Sequence, residues 1–239
     1  MTRWQQFKRK ITAIVFPERC IFCGEVIPPL TLCCDTCRAK IQVVKQPRCP
    51  YCGVEKKQCR CQQKRHHYDR IVAPLYCEKS VHKGILRLKR YDDPIAIDFF
   101  ADQMAAVVLQ EFGTISIDTI TFIPISAKDA FRRGYNQGER LAYALGKRLK
   151  IPVERLLVKL YETKPQKSLP ALFRSGNVFG VFDVQTDTPL TAKTVLLVDD
   201  VLTTGATLNE CAKMLKLYGA EKVFAVTASV RRPKQEKDL

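Results

Sequence analysis

The sequence lacks an apolar segment of the ~20 residues that a membrane-spanning helix requires. The apolar run at residues 11–16 follows several basic residues but is too short for a signal peptide and contains Thr12. A Walker A motif and a glycine-rich dinucleotide fingerprint are also absent, so neither ATP hydrolysis nor nicotinamide chemistry has support. We therefore expect a cytoplasmic protein with no membrane span.

Acidic residues are scarce in the first part of the chain. Up to Tyr91 there are 20 Lys and Arg against 6 Asp and Glu, which places +14 of the total net charge of +16 in this part. A surface with so much positive charge suits a polyanion such as nucleic acid. A solvated basic face is the simpler interpretation of the same residues.

Eleven cysteines are present, and nine of them lie between residues 20 and 61. Without a signal peptide, this clustering favours metal binding over disulfides, since two Cys-x-x-Cys pairs can place four thiolates around one zinc ion. The predicted first site consists of Cys20, Cys23, Cys34 and Cys37. The predicted second site consists of Cys49, Cys52, Cys59 and Cys61.

The second zinc site has a less regular spacing, because one residue instead of two separates Cys59 from Cys61. His66 or His67 is an alternative ligand, and the pairs can also interleave in a cross-brace. We favour consecutive sites because a short loop closes each set of four thiolates. Such ions are structural, since four thiolates leave no open coordination position.

The basic surface around these cysteines predicts contacts with single-stranded DNA, in which cations meet phosphates and aromatic rings stack on bases. The candidate residues are Arg38, Lys40, Lys45, Arg48, Lys56, Lys57, Arg60, Lys64 and Arg65, with Tyr51 and Tyr68 among them.

The organisation of the chain predicts two parts. Residues 1–70 form a cysteine-rich module that starts with an amphipathic helix, and residues 71–239 form a larger α/β domain. Strands are predicted at residues 71–76, 119–125, 153–160, 195–198 and 223–230. Helices alternate with these strands, and Ser80 and Asp93 are expected near the starts of the first two. This alternation predicts a mostly parallel sheet with flanking helices, whose loops meet at the carboxyl ends of the strands.

Residues 194–207 read as a buried strand, an acidic pair, an anion-binding loop and a helix start. Small residues and hydroxyls can expose backbone N–H groups to a terminal phosphate, and the helix start adds its positive dipole end. The predicted phosphate ligands are Thr203, Thr204, Gly205, Ala206 and Thr207. Asp199 and Asp200 can accept hydrogen bonds from ribose hydroxyls, so the pattern predicts a site for a 5-phosphosugar.

A second loop is expected to meet the first at the same edge of the sheet. Backbone N–H groups of Ser126, Ala127 and Lys128 are suited to a pyrophosphate, and Gly134, Tyr135 and Asn136 follow in a turn before the next helix. Three cations are predicted to neutralise the charge of a departing pyrophosphate: Lys89, Arg132 and Arg133. No side chain stands out as a general base.

The sequence Val-Asp-Asp followed by Thr-Thr-Gly-Ala-Thr resembles the motif with which type I phosphoribosyltransferases bind phosphoribosyl pyrophosphate (PRPP). Together with the cysteine pairs and the Arg-Gly-Tyr-Asn-Gln sequence at residues 133–137, it extends to a resemblance to the ComF family. Further matching positions are Gln166, Leu169, Arg174, Asn177 and Phe182.

Members of the ComF family look like a zinc ribbon fused to a phosphoribosyltransferase domain, and they are linked to DNA uptake in competent bacteria. The resemblance implies a type I phosphoribosyltransferase-like fold, PRPP bound with magnesium, and partners among single-stranded DNA and proteins of the competence machinery. Two other functions stay open: a non-catalytic nucleic-acid-binding adaptor that uses the PRPP pocket as a sensor or scaffold, and a nucleobase phosphoribosyltransferase of nucleotide salvage.

Overall fold

A computed structural model describes residues 17–61, 66–160, 181–185 and 189–233 of the chain. The predicted N-terminal amphipathic helix lies outside these residues, as do Lys64, Arg65, Gln166, Leu169, Arg174 and Asn177.

A parallel sheet forms the centre of the molecule. Its strands are β1 (Arg70–Val72), β2 (Leu75–Tyr76), β3 (Thr119–Phe122), β6 (Thr194–Leu202) and β7 (Lys222–Val230). The order is β1-β7-β6-β3, and β2 continues β1 along the same edge of β7. Every pairing in this sheet is parallel. The apolar runs of β6 and β7 are buried on both faces, as expected for strands between two covering layers.

Helices cover both faces of the sheet. The helices of the described residues are α1 (Asp35–Arg38), α2 (Lys79–Leu88), α3 (Pro94–Phe112), α4 (Ala127–Arg133), α5 (Gln137–Leu149) and α6 (Ala206–Leu217), of which α4 has no buried residue. Buried side chains of α2, α3 and α5 share one core with Leu196 and Val198 of β6. Those of α6 share the opposite core with Val195 and Leu197, whose side chains alternate with the first pair along the strand. The predicted fold class, a mostly parallel sheet with flanking helices, is confirmed.

The strand predicted at residues 153–160 is wrong in its placement. Val153 makes a single parallel bridge with Ile120. The N–H of Leu156 then donates to the side-chain hydroxyl of Thr121 in β3, so ladder pairing with the β3 backbone ends here. Beyond this point β4 (Leu157–Lys159) pairs antiparallel with β5 (Phe182–Val184) in a separate two-stranded sheet.

Two helix starts also differ in part from the prediction. Asp93 caps α3 as expected, accepting hydrogen bonds from the N–H groups of Ile95 and Ala96. Ser80 does not cap α2, which begins one residue earlier, because its buried hydroxyl faces the thiol of Cys37. The predicted loop at residues 126–134 is largely the short helix α4, with Ser126 at its N-cap.

Candidate functional site

The eight cysteines predicted as metal ligands form two separate groups of four. Cys20, Cys23, Cys34 and Cys37 make the first, Cys49, Cys52, Cys59 and Cys61 make the second, and within each group all four Sγ atoms lie within 4.8 Å of one another. We call residues 20–37 the first ribbon and residues 49–61 the second ribbon. The expected consecutive arrangement is therefore confirmed, and neither His66 nor His67 belongs to a group.

The spacing of the thiols fits zinc. A tetrahedral ion with Zn–S bonds of about 2.3 Å requires Sγ atoms roughly 3.8 Å apart. The Sγ atoms of Cys23 and Cys34 are 3.7 Å apart, as are those of Cys49 and Cys61. Burial opposes ionisation of Cys20, but N–H donors from Cys23, Cys34 and Phe22 lower its pKa to about 6. The residues thus fit two structural zinc ions.

The first ribbon is part of the main hydrophobic core. Phe22, which is fully buried, packs edge-on against Phe99 and Phe100 of α3, with ring centroids 5.6 and 6.3 Å away. A Cβ at Gly84 of α2 would come within 2.7 Å of the Phe22 ring, so the glycine permits this close approach. The first ribbon and the helices beneath it therefore form one packed unit.

The second ribbon lies on the other face of the sheet and contacts the β6–α6 loop. Tyr68 donates a hydrogen bond of 2.8 Å to the carbonyl of Tyr51, and a Cβ at Gly205 would lie 3.3 Å from the Tyr68 hydroxyl. Buried Tyr68 thus joins a zinc knuckle to the predicted phosphate loop. Its expected role in stacking DNA bases is wrong, because the side chain is only 3% exposed and is covered by the ring of His66.

Arg48 also departs from its predicted role at a DNA surface. Its side chain is 7% exposed and lies 2.8 Å from Glu111 at the end of α3, which also pairs with Arg70 at 2.7 Å. Burial alone would raise the pKa of Glu111, but hydrogen bonds from Gln46 and Arg48 and the two arginine charges lower it. This cluster fastens the chain just before the second ribbon to the α/β domain.

The β6–α6 loop has the backbone of an anion site. Gly205 adopts a left-handed conformation with φ of 76°, and α6 begins directly after it. The first-turn N–H groups of such a helix have no carbonyl partner within the helix. A cavity of about 70 Å³ lies here, lined by Asp199 and by all five predicted phosphate ligands: Thr203, Thr204, Gly205, Ala206 and Thr207.

The two acidic residues at the end of β6 point to opposite faces of the sheet. Asp200 is buried on the α5 side, where its Oδ2 lies 2.9 Å from the ammonium of Lys89 and accepts a 3.3 Å hydrogen bond from Gln137. Asp199 lies on the α6 side beside the loop cavity. Burial and the neighbouring Asp200 charge raise the pKa of Asp199 well above its usual range.

Helix α4 brings the predicted pyrophosphate-binding segment toward this pair. Ser126 caps the helix by accepting from the N–H of Asp129, and Ala127 and Lys128 form its first turn. Asp129 pairs with Arg132 and, at 3.6 Å, with Arg133. Arg133 also donates to Gln137, which contacts Asp200, so a chain of polar contacts joins α4 to β6.

The turn between α4 and α5 is held by its own side chains. Gly134 has φ of 76°, as a tight turn requires. Tyr135 donates to the carbonyl of Leu88 next to Lys89, whereas Asn136 caps α5 and donates to the carbonyl of Ile123. These residues position Lys89 and Gln137; a direct contact of Gly134, Tyr135 or Asn136 with a ligand stays a prediction.

The structure brings together most of the predicted site. Lys89 and Arg133 lie in one polar chain with Asp200, whereas Arg132 is largely exposed and pairs with Asp129. Sequence reasoning missed Gln137 as a site residue, although it ends the Arg-Gly-Tyr-Asn-Gln sequence. Its contact with Asp200 spans 63 residues of chain, and no local pattern indicates it.

No helix within the described ranges is long and apolar enough to cross a membrane.

Comparisons with known proteins match both halves of the chain. The model of the double zinc ribbon domain matches residues 11–79, and that of the phosphoribosyl transferase domain matches residues 135–239. Competence protein F of Haemophilus influenzae is 27% identical over 87% of this chain and 95% of its own. DNA utilization protein YhgH of Salmonella typhimurium is 26% identical over 80% and 86%, and competence protein ComFC of Streptococcus pneumoniae is 22% identical over 86% and 96%.

Proposed function

Because the chain belongs to the ComF family, in which a double zinc ribbon accompanies a phosphoribosyltransferase domain, we propose that it binds PRPP and handles single-stranded DNA during natural transformation. The observation that carries the proposal is the cavity at the start of α6, where threonine hydroxyls, a left-handed glycine and first-turn N–H groups surround a space next to Asp199.

The phosphate loop takes the 5-phosphate of PRPP. Backbone N–H groups at residues 204–207 and the hydroxyls of Thr203, Thr204 and Thr207 supply donors, and the helix dipole of α6 favours a dianion there. Asp199 and Asp200 lie near the carboxyl end of β6 and accept hydrogen bonds from the hydroxyls of the ribose.

The opposite end of the ligand faces cations from two elements. Lys89 follows α2 and pairs with Asp200, while Arg133 ends α4. Both lie in the polar chain that includes Gln137, so they are positioned to balance the charge of a pyrophosphate beyond the ribose. Magnesium bound with PRPP would supply further positive charge to balance the pyrophosphate.

If the protein transfers the phosphoribosyl group, electrostatic stabilisation of the departing pyrophosphate by Lys89 and Arg133 is its main contribution. Release of pyrophosphate in the presence of nucleobases or DNA identifies a transferase. PRPP binding without release identifies an adaptor that uses PRPP as a signal.

The DNA-handling part of the proposal is supported by exposed basic side chains on the second ribbon and on the segment that joins the two ribbons. After Arg48 is set aside, the exposed members of the predicted set are Arg38, Lys40, Lys45, Lys56, Lys57 and Arg60. The relatives' names, competence protein and DNA utilization protein, connect those proteins with competence and with the use of DNA. Cations on a rigid, zinc-held surface are suited to the phosphates of a strand.

Titration of PRPP with magnesium into the wild type and Asp200→Asn tests the binding site. We expect the variant to bind at least tenfold more weakly, since it loses a charged hydrogen-bond acceptor worth about 1.5–3 kcal/mol. Glu139→Gln removes the charge of a partly buried acid in the first turn of α5; it is the control and is expected to bind like the wild type. Equal affinity of the wild type and Asp200→Asn for PRPP would contradict the assignment of Asp200 to the PRPP site.

A salt series on labelled oligo(dT) tests the DNA surface in the full chain. Each phosphate contact with a single strand contributes about 0.7 to the slope of log K against log salt, so the double variant Lys56→Gln/Lys57→Gln is expected to lower the slope by about 1.4. The matched double variant Lys147→Gln/Lys222→Gln removes two exposed lysines from the α/β domain. An equal slope of log K against log salt for the wild type and both double variants would show that DNA does not contact Lys56 and Lys57.

A further inference from the structure

A second and larger cleft lies between the second ribbon and the carboxyl edge of the sheet. Its volume is about 680 Å³, within the range of small-molecule sites, and it lies where two structural units meet, as such sites often do. One wall is formed by Tyr51 and Cys52 of the ribbon, and the other by Thr203, Thr204 and the segment after β7.

The walls of this cleft combine aromatic rings with positive charge. Tyr51 is half-buried, Arg231 is exposed, and Arg60 and Arg232 also line the space. No Asp or Glu is among the described residues that line it. Thiolates of Cys52 and Cys61 would carry part of the −2 charge of a zinc tetrathiolate, which the charges of Arg60 and Arg231 offset.

Arg231 and Arg232 differ in how the fold uses them. Arg232 lies over the ring of Tyr76 at 4.0 Å, pairs with Glu78 at 2.9 Å, and donates to Gln42 and Gln58, so it is a structural residue. The backbone N–H of Arg231 binds the carbonyl of Leu202, which fixes the residue beside the phosphate loop while its side chain stays exposed.

The cleft adjoins the phosphate loop, and several contacts fix the position of the second ribbon relative to that loop. Thr203 and Thr204 line both spaces. Tyr68, below the cleft, bonds the ribbon at Tyr51 and contacts the loop at Gly205, and the N–H of His67 bonds the side chain of Asn209 in α6. The two walls are therefore held in a fixed relation, as a preformed site requires.

We propose that this cleft binds one nucleotide unit, with the base against Tyr51 and the phosphate at Arg231. A ring and an anion on one ligand match the aromatic and cationic walls, since bases stack on tyrosine and phosphates pair with arginine. The inference rests on the proposed function in taking Thr203 and Thr204 as the 5-phosphate loop, which puts a nucleotide next to bound PRPP. The nucleotide is either free or part of a DNA strand.

The test uses the zinc-loaded full chain and fluorescein-labelled (dT)4, with unlabelled dTMP and dAMP as competitors. Tyr51→Ala is expected to weaken binding of (dT)4 about tenfold, since stacking on one aromatic ring has that worth. Arg231→Ala is expected to lower the salt slope by about 0.7, one phosphate contact. Arg155→Ala removes an exposed arginine that does not line the cleft and is expected to change neither.

Several outcomes separate this proposal from the others. Competition by the monophosphates identifies free nucleotides as ligands, and binding of (dT)4 alone identifies a strand. Wild-type binding and slope in both Tyr51→Ala and Arg231→Ala overturn the proposal. Because Arg231 lies outside the ribbon, its variant decides the matter even if Tyr51→Ala loosens the zinc site.

PRPP provides the check on the neighbouring site. Both variants are expected to bind PRPP with magnesium within about twofold of the wild type, and saturating PRPP is expected to leave the cleft open to (dT)4. Complete exclusion of (dT)4 by PRPP would place the nucleotide in the phosphate loop and overturn the assignment. If the wild type does not bind PRPP at all, the proposed function is refuted, whereas the (dT)4 measurements still decide whether the cleft binds a nucleotide.

Discussion

The two ribbons have the same ligand chemistry but different surroundings. The first ribbon inserts Phe22 into the core shared by α2, α3 and α5, whereas the second places Val54 in the core on the opposite face of the sheet, contacts Tyr68 and borders an open cleft. The role of each ribbon therefore depends on the elements that it packs against and not on its zinc ligands alone. The first ribbon acts as part of the scaffold, and the second forms a wall beside the proposed phosphate loop at residues 203–207.

Serine substitution of one zinc ligand in each ribbon is expected to show the largest difference between the two ribbons. Cys20→Ser and Cys49→Ser are each expected to lose one of two zinc ions, because the two groups are separate. Cys20→Ser is expected to destabilise the whole domain by about 4 kcal/mol, since Phe22 loses its fixed place in the core. Cys49→Ser is expected to cost about 2 kcal/mol through the contact of Val54.

Metal analysis together with urea unfolding checks these values. Loss of both ions from either variant would show that the sites are coupled, and equal destabilisation would show that the second ribbon is as much a part of the core as the first.

The ion pairs of Glu111 with Arg48 and Arg70 provide a second test, because they hold the chain just before the second ribbon against α3. Glu111→Gln is expected to destabilise the protein by about 3 kcal/mol, since it leaves the buried Arg48 without its charge partner. The lowered pKa of Glu111 means that its contribution is present above the unfolded-state pKa and is lost as pH falls through the folded pKa.

Urea unfolding at pH 7 and pH 3 measures both effects, and the difference between the wild type and Glu111→Gln is expected to shrink at the lower pH. Glu139→Gln is the matched control, because Glu139 pairs with a largely exposed arginine whose contribution is about 1 kcal/mol or less. A similar decrease in the free energy of unfolding in both variants would show that the Glu111 ion pairs stabilise the protein no more than an ordinary surface pair.

The features that the sequence predicted well are contiguous in it. The cysteine groups and the strand, glycine turn and helix at residues 194–217 each lie within one short segment, where spacing and residue type determine the local backbone. The contacts that were missed join distant segments: Asp200 with Lys89 and Gln137, and Arg48 with Glu111. Burial of Arg48 and Tyr68 likewise depends on the tertiary packing, which no local pattern reveals.

Tyr68→Phe tests the tie between the second ribbon and the phosphate loop. The variant keeps the buried ring but removes the hydrogen bond to Tyr51, so the expected loss of stability is about 1 kcal/mol. Zinc is expected to leave the second site faster in the presence of a chelator, with no change at the first. Tyr218→Phe, which removes an exposed hydroxyl bonded to Asp183, is the control. Unchanged zinc release would argue against a mechanical tie.

The smallest expected effect is the pH dependence of PRPP binding through Asp199. Its raised pKa means that a proton must leave before the carboxylate accepts a ribose hydroxyl, so affinity is expected to rise a few-fold as pH increases through the folded pKa. The same shift makes the free protein less stable over that range. Comparison with Asp199→Asn, measured with the same PRPP, cancels titration of the ligand's own phosphates, and identical pH profiles would contradict the assignment.

The most direct test of the account is a crystal structure of the zinc-loaded protein with PRPP and magnesium. We predict the 5-phosphate against the N–H groups of residues 204–207, the ribose hydroxyls at Asp199 and Asp200, and the pyrophosphate on the side of Lys89 and Arg133. The cleft between Tyr51 and Arg231 is expected to remain open. PRPP bound in that cleft, with the loop at Gly205 vacant, would contradict the account.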